Sequence, residues 1–312
     1  MNRFVSLAAA GLFSLGLAAC GGGSSSPAEA TATPDAAVKA SADALRQNDI
    51  GQFVKLVLPE ARYNEVKAKF ESRERTAPEA GEAAEFSEMM AKLTAADAET
   101  ALMAELEPHI AQFEAEMAPQ MPMMIGMGRG IAVQGIQQNA EMSEDQKRQA
   151  TQLVDAMGNW LSGVKLGDRE LAKQAIAKTV AAARKLDLQT LEQVNALSFD
   201  QAMEKAGIAF GGLKDVLGVY GFDVNAALDS TQVEVLKSEG DAARVKLSYT
   251  LLGTAITSEQ DMVRENGRWY GKDTMKALSD ALDQPAAPAE IAEEEVTEEP
   301  APMEEDDEEV TE

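Results

Sequence analysis

From residue 35 to about residue 221, apolar side chains recur every three or four positions, the spacing of one face of an α-helix. Val38, Ala42 and Leu45 form a first stripe, with Asp35 placed to cap it. Asp49 can cap a short second helix carrying Ile50, Phe53, Leu56 and Val57. Pro59 stands where a first-turn proline is tolerated, ahead of Tyr63, Val66 and Phe70. Thr94 with Asp97, Ser143 with Gln146, and Ser198 with Gln201 have the spacing of capping boxes or near variants of them. Behind Ser143, the residues Leu153, Met157, Trp160, Leu161 and Val164 share one stripe, which predicts a buried helix face.

The period then changes to two. Val245, Leu247, Tyr249 and Leu251 alternate with Arg244, Lys246, Ser248 and Thr250, as in a strand with one buried side. Val233 and Val235 precede it across a turn at Glu239, Gly240 and Asp241. Gly253 marks the next turn, into a strand over residues 256–264. Asn266-Gly267 then joins that strand to Trp269-Tyr270, and Asn-Gly between apolar runs is a hairpin signal because both turn residues tolerate positive φ. A three- or four-stranded antiparallel meander is predicted, followed by a short helix over 274–282. Helices first and strands last make an α+β fold, a helix-rich body with a meander behind it.

Outside this body the composition is different. After Cys20, residues 21–34 are Gly, Ser, Ala, Thr and Pro apart from Glu29, a tether unable to bury a core. Residues 284–312 hold thirteen Asp or Glu and no Lys or Arg, a low-complexity acidic tail expected to be disordered. The expected organisation is therefore a signal at 1–19, a tether at 20–34, a helical region at 35–178, an α+β unit at 179–283 and the tail. A net charge of −25 repels phosphate backbones, which argues against a nucleic-acid partner.

The first twenty residues supply an address. Arg3 gives a positive start, an apolar run follows, and Leu17-Ala18-Ala19 precedes Cys20, the single cysteine of the chain. This segment resembles a bacterial lipoprotein signal, in which the Cys of the lipobox becomes lipidated. The resemblance implies attachment to the membrane through lipid on Cys20, and Gly21 in place of an aspartate implies the periplasmic face of the outer membrane. A lone cysteine also fits lipidation better than a disulfide, which needs a pair.

A second resemblance covers roughly residues 179–275. Val233-Glu234-Val235-Leu236, the turn at Gly240-Asp241 into Ala242-Ala243-Arg244-Val245, and Glu265-Asn266-Gly267-Arg268-Trp269 resemble the C-terminal half of a nuclear transport factor two-like domain. That family implies a cone, with a curved sheet wrapped on helices and a concave face able to hold an apolar ligand. Val245, Leu247 and Tyr249 would be its lining, or its core. An internal echo is also visible: Ala44, Arg46, Asp49, Lys67 and Ala68 coincide with Ala182, Arg184, Asp187, Lys205 and Ala206 in a gapless comparison.

Evidence for an enzyme is thin. His109 is the only histidine, so neither a multi-His metal cluster nor a two-His relay can form within one chain. There is no Gly-x-Ser-x-Gly elbow. The spacing of Gly126, Gly128 and Gly130 lacks the preceding strand that a dinucleotide site requires. Asp261 with Tyr249 could imitate the acid–base pair of catalytic cone folds, although no motif fixes their geometry. No cofactor is expected.

One segment departs from this background. Met117, Met121, Met123, Met124 and Met127 lie within eleven residues, broken by Pro119 and Pro122 and followed by glycines. Thioethers are soft ligands suited to Cu(I), and His109 could add a nitrogen if the chain folds back. The same residues equally suit an apolar loop packed on a partner. The sequence thus leads to a lipid-anchored, non-enzymatic envelope protein that binds a protein partner or a small apolar ligand. The alternatives are a soft-metal binder and, third, a cone-fold enzyme.

Overall fold

The computed structural model describes residues 30–140 and 142–283. The signal, Cys20, most of the tether and the acidic tail lie outside the described residues. Twelve α-helices and four strands follow in order among the described residues: α1 (Pro34–Arg46), α2 (Ile50–Val57), α3 (Glu60–Glu71), α4 (Ala80–Thr94), α5 (Ala98–Gln112), a π-helical turn (Phe113–Met117), α6 (Met121–Gln138), α7 (Glu144–Gly163), α8 (Arg169–Leu186), α9 (Leu191–Ala196), α10 (Phe199–Val219), α11 (Val224–Asp229), β1 (Gln232–Glu239), β2 (Ala242–Leu251), β3 (Thr254–Glu265), β4 (Arg268–Gly271) and α12 (Lys272–Asp283). The chain is α+β, as its pattern predicts.

Caps explain most helix starts. Asp49 accepts from the Gln52 N–H at 2.8 Å and opens α2. Ser143 with Gln146 and Ser198 with Gln201 form complete capping boxes, and Thr190 with Gln193 makes another that opens α9. Three details differ from the pattern. Thr33 rather than Asp35 caps α1, because the helix begins at Pro34 and Asp35 falls in its first turn. Pro59 is the cap of α3, not its first residue. Thr94 donates back to the Met90 carbonyl at 2.7 Å and ends α4, so it forms no box with Asp97.

The sheet is an antiparallel meander of order β1-β2-β3-β4. Asn266 and Gly267 have φ of 50° and 80°, the mirror-image turn that the Asn-Gly pair predicts. Every second residue of β2 is buried, as the alternation requires. The inner face is shared between two helices. Ala37 and Val38 of α1 pack on Ala243, Val245, Leu247, Met262 and Trp269, while Leu153, Met157 and Trp160 of α7 pack beside Phe222, Tyr249, Leu251 and Ile256. Trp160 meets Phe222 edge-on at 5.5 Å and donates to the Tyr220 carbonyl at 2.8 Å.

A separate helical core forms where α10 crosses α2 and α3. Phe199 packs edge-on against Tyr63 and Phe70, above Leu45, Phe53, Leu56, Leu58 and Met203. Phe86 and Met90 of α4 pack with Ala183 of α8. On the far side, α6 packs along α7, and α7 in turn lies on β3.

Two expected boundaries move. Part of the segment assigned to the tether is packed: Thr31 and Pro34 are buried, and the Thr31 carbonyl accepts from the Trp269 N–H at 2.9 Å. A division at residue 178 falls inside α8, and α1 shares a core with the sheet, so helical region and meander are joined by packing. The internal echo extends to helix order, a short helix between two long ones in each copy. The packing differs, since α8 lies along α10 whereas α1 packs on α2 and the sheet.

Candidate functional site

The turn between α1 and α2 beds into α10 through a row of glycines. Asn48 adopts a left-handed φ of 62°, and its carbonyl oxygen lies 2.2 Å from where a Cβ on Gly207 would sit. A Cβ on Gly211 would meet Asn48 Nδ2 at 2.8 Å, and one on Gly212 would meet the Ala182 Cβ of α8 at 2.5 Å. Bare backbone at these positions lets a turn and a helix approach α10 closely. Beside them opens a cleft of about 650 Å³ lined by Asp49, Tyr63, Lys178, Lys185, Asp200 and Glu204 among others. Its charges are mixed and partly spent on each other and on neighbours: Lys178 lies 3.6 Å from Asp215, and Asp200 accepts from Lys67 at 2.6 Å. None of the lining residues is a Ser, Thr, Cys or His.

Behind this cleft, Lys214 of α10 is buried. Its ammonium donates to the Leu45 and Arg46 carbonyls at 3.0 Å each and to Asn225 Oδ1 at 2.7 Å. The two carbonyls belong to the C-terminal end of α1, where a cation is favoured by the helix dipole; that of Leu45 also accepts from the Asn48 N–H at 3.1 Å. Burial lowers the Lys214 pKa to about 8, with Arg46 acting in the same direction and Asp215, Asp223 and Asp229 opposing it. All three ammonium protons have acceptors, which makes this a clamp between α1, α10 and α11.

The residues that the sequence proposes as ligand lining are core. Val245, Leu247 and Tyr249 are 0%, 1% and 6% exposed, and α1 and α7 cover them. They are absent from the lining of the cleft, which lies on the helical side of the molecule. Burial pushes the Tyr249 phenol up, with a hydrogen bond from Gln149 opposing it. Asp261 is exposed and sits 3.8 Å from Arg244 on the neighbouring strand, so it and Tyr249 do not form a pair.

The methionine segment is helical rather than a loop. Pro119 lies in the connection and Pro122 in the first turn of α6, where no backbone donor is needed. Ile125 and Arg129 face α7, over Gly158, and Arg129 bonds Asp155 and Asn159. Among the described residues the other face of α6 is left open. Met123, Met127 and Ile131 are 70%, 64% and 65% exposed, and Met117 and Met124 are exposed as well. At about 100° per residue, Met123, Met124, Met127 and Ile131 fall within an arc of roughly 100°. Met121 sits at the helix start, half-buried. His109 is exposed on α5, which packs on α4 and α8 and runs into the π-helical turn that ends at Met117.

Among the described residues no three His, Cys, Asp or Glu side chains converge to hold a metal ion, and no helix is long and apolar enough to cross a membrane. The lipidation candidate Cys20 lies outside the described residues. No protein-family model, curated protein or solved structure matches the chain.

The sequence reading missed the glycine row and the Lys214 clamp. Both had signals. Lys214 follows Phe210 by four on the apolar stripe of α10, where a charge is out of place, and glycines inside a long helical pattern usually mark close packing.

Proposed function

We propose that this chain is a lipid-anchored, non-enzymatic protein of the bacterial cell envelope whose work is to dock a protein partner. The observation that carries the reading is the exposed face of α6, where Met123, Met124, Met127 and Ile131 stand together with no covering element among the described residues. Large contiguous apolar patches of a few hundred Å² mark interaction sites on soluble proteins. Methionine suits such a surface because its thioether side chain adapts to varied shapes. The filled sheet face weighs against an apolar ligand held by Val245, Leu247 and Tyr249, and the polar cleft offers no alternative for one. Anchoring rests on the Leu17-Ala18-Ala19-Cys20 motif, with the outer membrane favoured by Gly21.

The test is the triple variant Met123→Gln, Met127→Gln, Ile131→Gln in the full exported chain. No residue of α6 is buried, so folding and melting should be unchanged. Copurification of the partner from solubilised envelopes should be lost. Undiminished copurification would move the docking surface elsewhere.

A soft-metal reading keeps one supporting observation: Met123, Met124 and Met127 occupy neighbouring positions on one exposed arc, and three thioethers there could converge on Cu(I). Titration with Cu(I) that leaves the methionine methyl resonances of α6 unmoved would end it.

A further inference from the structure

The partner-docking reading leaves the partner open, and the shape of α6 bears on what it is. We propose that α6 docks a second copy of this chain, the ridge of Met123, Met127 and Ile131 on each copy seating in the groove beside Gly126 and Gly130 of the other. This inference rests on the docking reading and goes one step further by naming the occupant.

Three observations converge. The first is shape. Met123, Met127 and Ile131 form one row of residues four apart, and Pro122, Gly126 and Gly130 form the adjacent parallel row. Rows with this spacing are the ridges and grooves by which helices interlock. Ridge and groove side by side on one helix are self-complementary, which is what a two-fold interface between identical copies requires.

The second is the glycines. A Cβ on Gly126 or Gly130 would meet nothing within 4 Å. No neighbour among the described residues requires bare backbone there, in contrast to Gly207 and Gly212 of α10. Glycine inside a helix weakens it relative to alanine, so the groove has a cost that contacts among the described residues do not recover. Close approach of an outside helix would recover it.

The third is charge. Two copies of a chain of net charge −25 repel each other over most of their surfaces. Residues 117–140 contain a single charged side chain, Arg129, and it is turned toward Asp155 and Asn159 of α7. The exposed face of α6 is thus a surface where two polyanions can meet without bringing carboxylates together. A contact made through one helix face alone falls short of the roughly 800 Å² per partner of a standard stable interface, which points to a weak contact. Tethering to one membrane would raise the effective concentration that such a contact needs.

The experiment is cysteine cross-linking of the full exported chain in its own membranes. Cys20 is the only native cysteine, so the parent chain gives the baseline. Met127→Cys, under mild oxidation, should yield a disulfide-linked homodimer well above that baseline. Glu82→Cys, at an exposed position of α4, should not. Adding Gly126→Ala and Gly130→Ala to Met127→Cys should reduce the homodimer severalfold while the melting temperature holds or rises, since alanine strengthens the helix. That combination excludes misfolding as the cause. Equal homodimer from positions 127 and 82, or no effect of the alanine pair, would overturn the proposal. A 127 adduct only with a protein of different mass would also refute the second copy, yet would leave the docking reading standing. A position-127 thiol that forms no adduct and is fully labelled by a maleimide in membranes would sink both.

Discussion

The Lys214 ammonium donates to the Leu45 carbonyl oxygen at 3.0 Å, joining positions 169 residues apart. With the Arg46 carbonyl and Asn225 as its other acceptors, this one side chain ties the end of α1 to α10 and α11. Since α1 also packs on the sheet, the clamp helps to fix the helical core relative to the meander.

Replacing Lys214 by Met keeps the apolar stem and removes the donors, depriving the Arg46 carbonyl and Asn225 Oδ1 of the ammonium while the Leu45 carbonyl keeps the Asn48 N–H. The expected cost is about 2–4 kcal/mol, measured by urea denaturation near neutral pH. The cost should also depend on pH. The folded-state pKa of about 8 lies below the ordinary value of 10.5. Below pH 8 both states are protonated and the burial penalty is present in full. Between about pH 8 and pH 10.5 the unfolded chain binds more protons, so the parent gains stability as pH rises. The stability gap between parent and Lys214→Met should therefore widen across that window; a constant gap would contradict the burial of a charged amine.

Glycine substitutions on two helices should have opposite signs. Gly207→Ala places a methyl 2.2 Å from the Asn48 carbonyl oxygen and should destabilise by about 1–3 kcal/mol through forced backbone movement. Gly135→Ala in α6 meets open space and should stabilise by about 0.5–1 kcal/mol. Thermal melts of the two variants decide the matter.

Leu247→Ala distinguishes core from ligand lining. Leu247 is 1% exposed beneath α1, so truncation should cost about 2–5 kcal/mol. A residue lining an empty pocket would tolerate the change with little loss.

Cys20→Ser tests the anchor. The variant should lose its lipid, shown by the absence of acyl label, and the parent should carry it in the envelope membrane fraction. Equal labelling of both would contradict lipidation at Cys20.

Much of the fold was legible because the signals were local. The alternation from Arg244 to Leu251, the Asn266-Gly267 turn and the boxes at Ser143 and Ser198 each depend on neighbours in sequence, and each formed as predicted. What depended on distant contacts was less legible. That Val245, Leu247 and Tyr249 are buried could be read from their period, but α1 and α7 as their cover could not. Pro119 and Pro122 suggested a loop at the methionines, whereas their positions before and within the first turn allow α6 to form. The arc of Met123, Met127 and Ile131 then follows from the helix, and only packing decides which of its faces stays open.

The most direct measurement of the central claim is oxidation of individual methionines by hydrogen peroxide, read by mass spectrometry, in intact envelopes and in the purified, diluted chain. Met123 and Met127 are the most exposed methionines of α6, while Met89 of α4 is partly exposed and Met90 is buried. If α6 is covered where the protein works, Met123 and Met127 should be protected in envelopes relative to the diluted chain, with Met89 and Met90 unchanged. Equal oxidation of Met123 and Met127 in both settings would contradict the assignment of α6 as a docking surface.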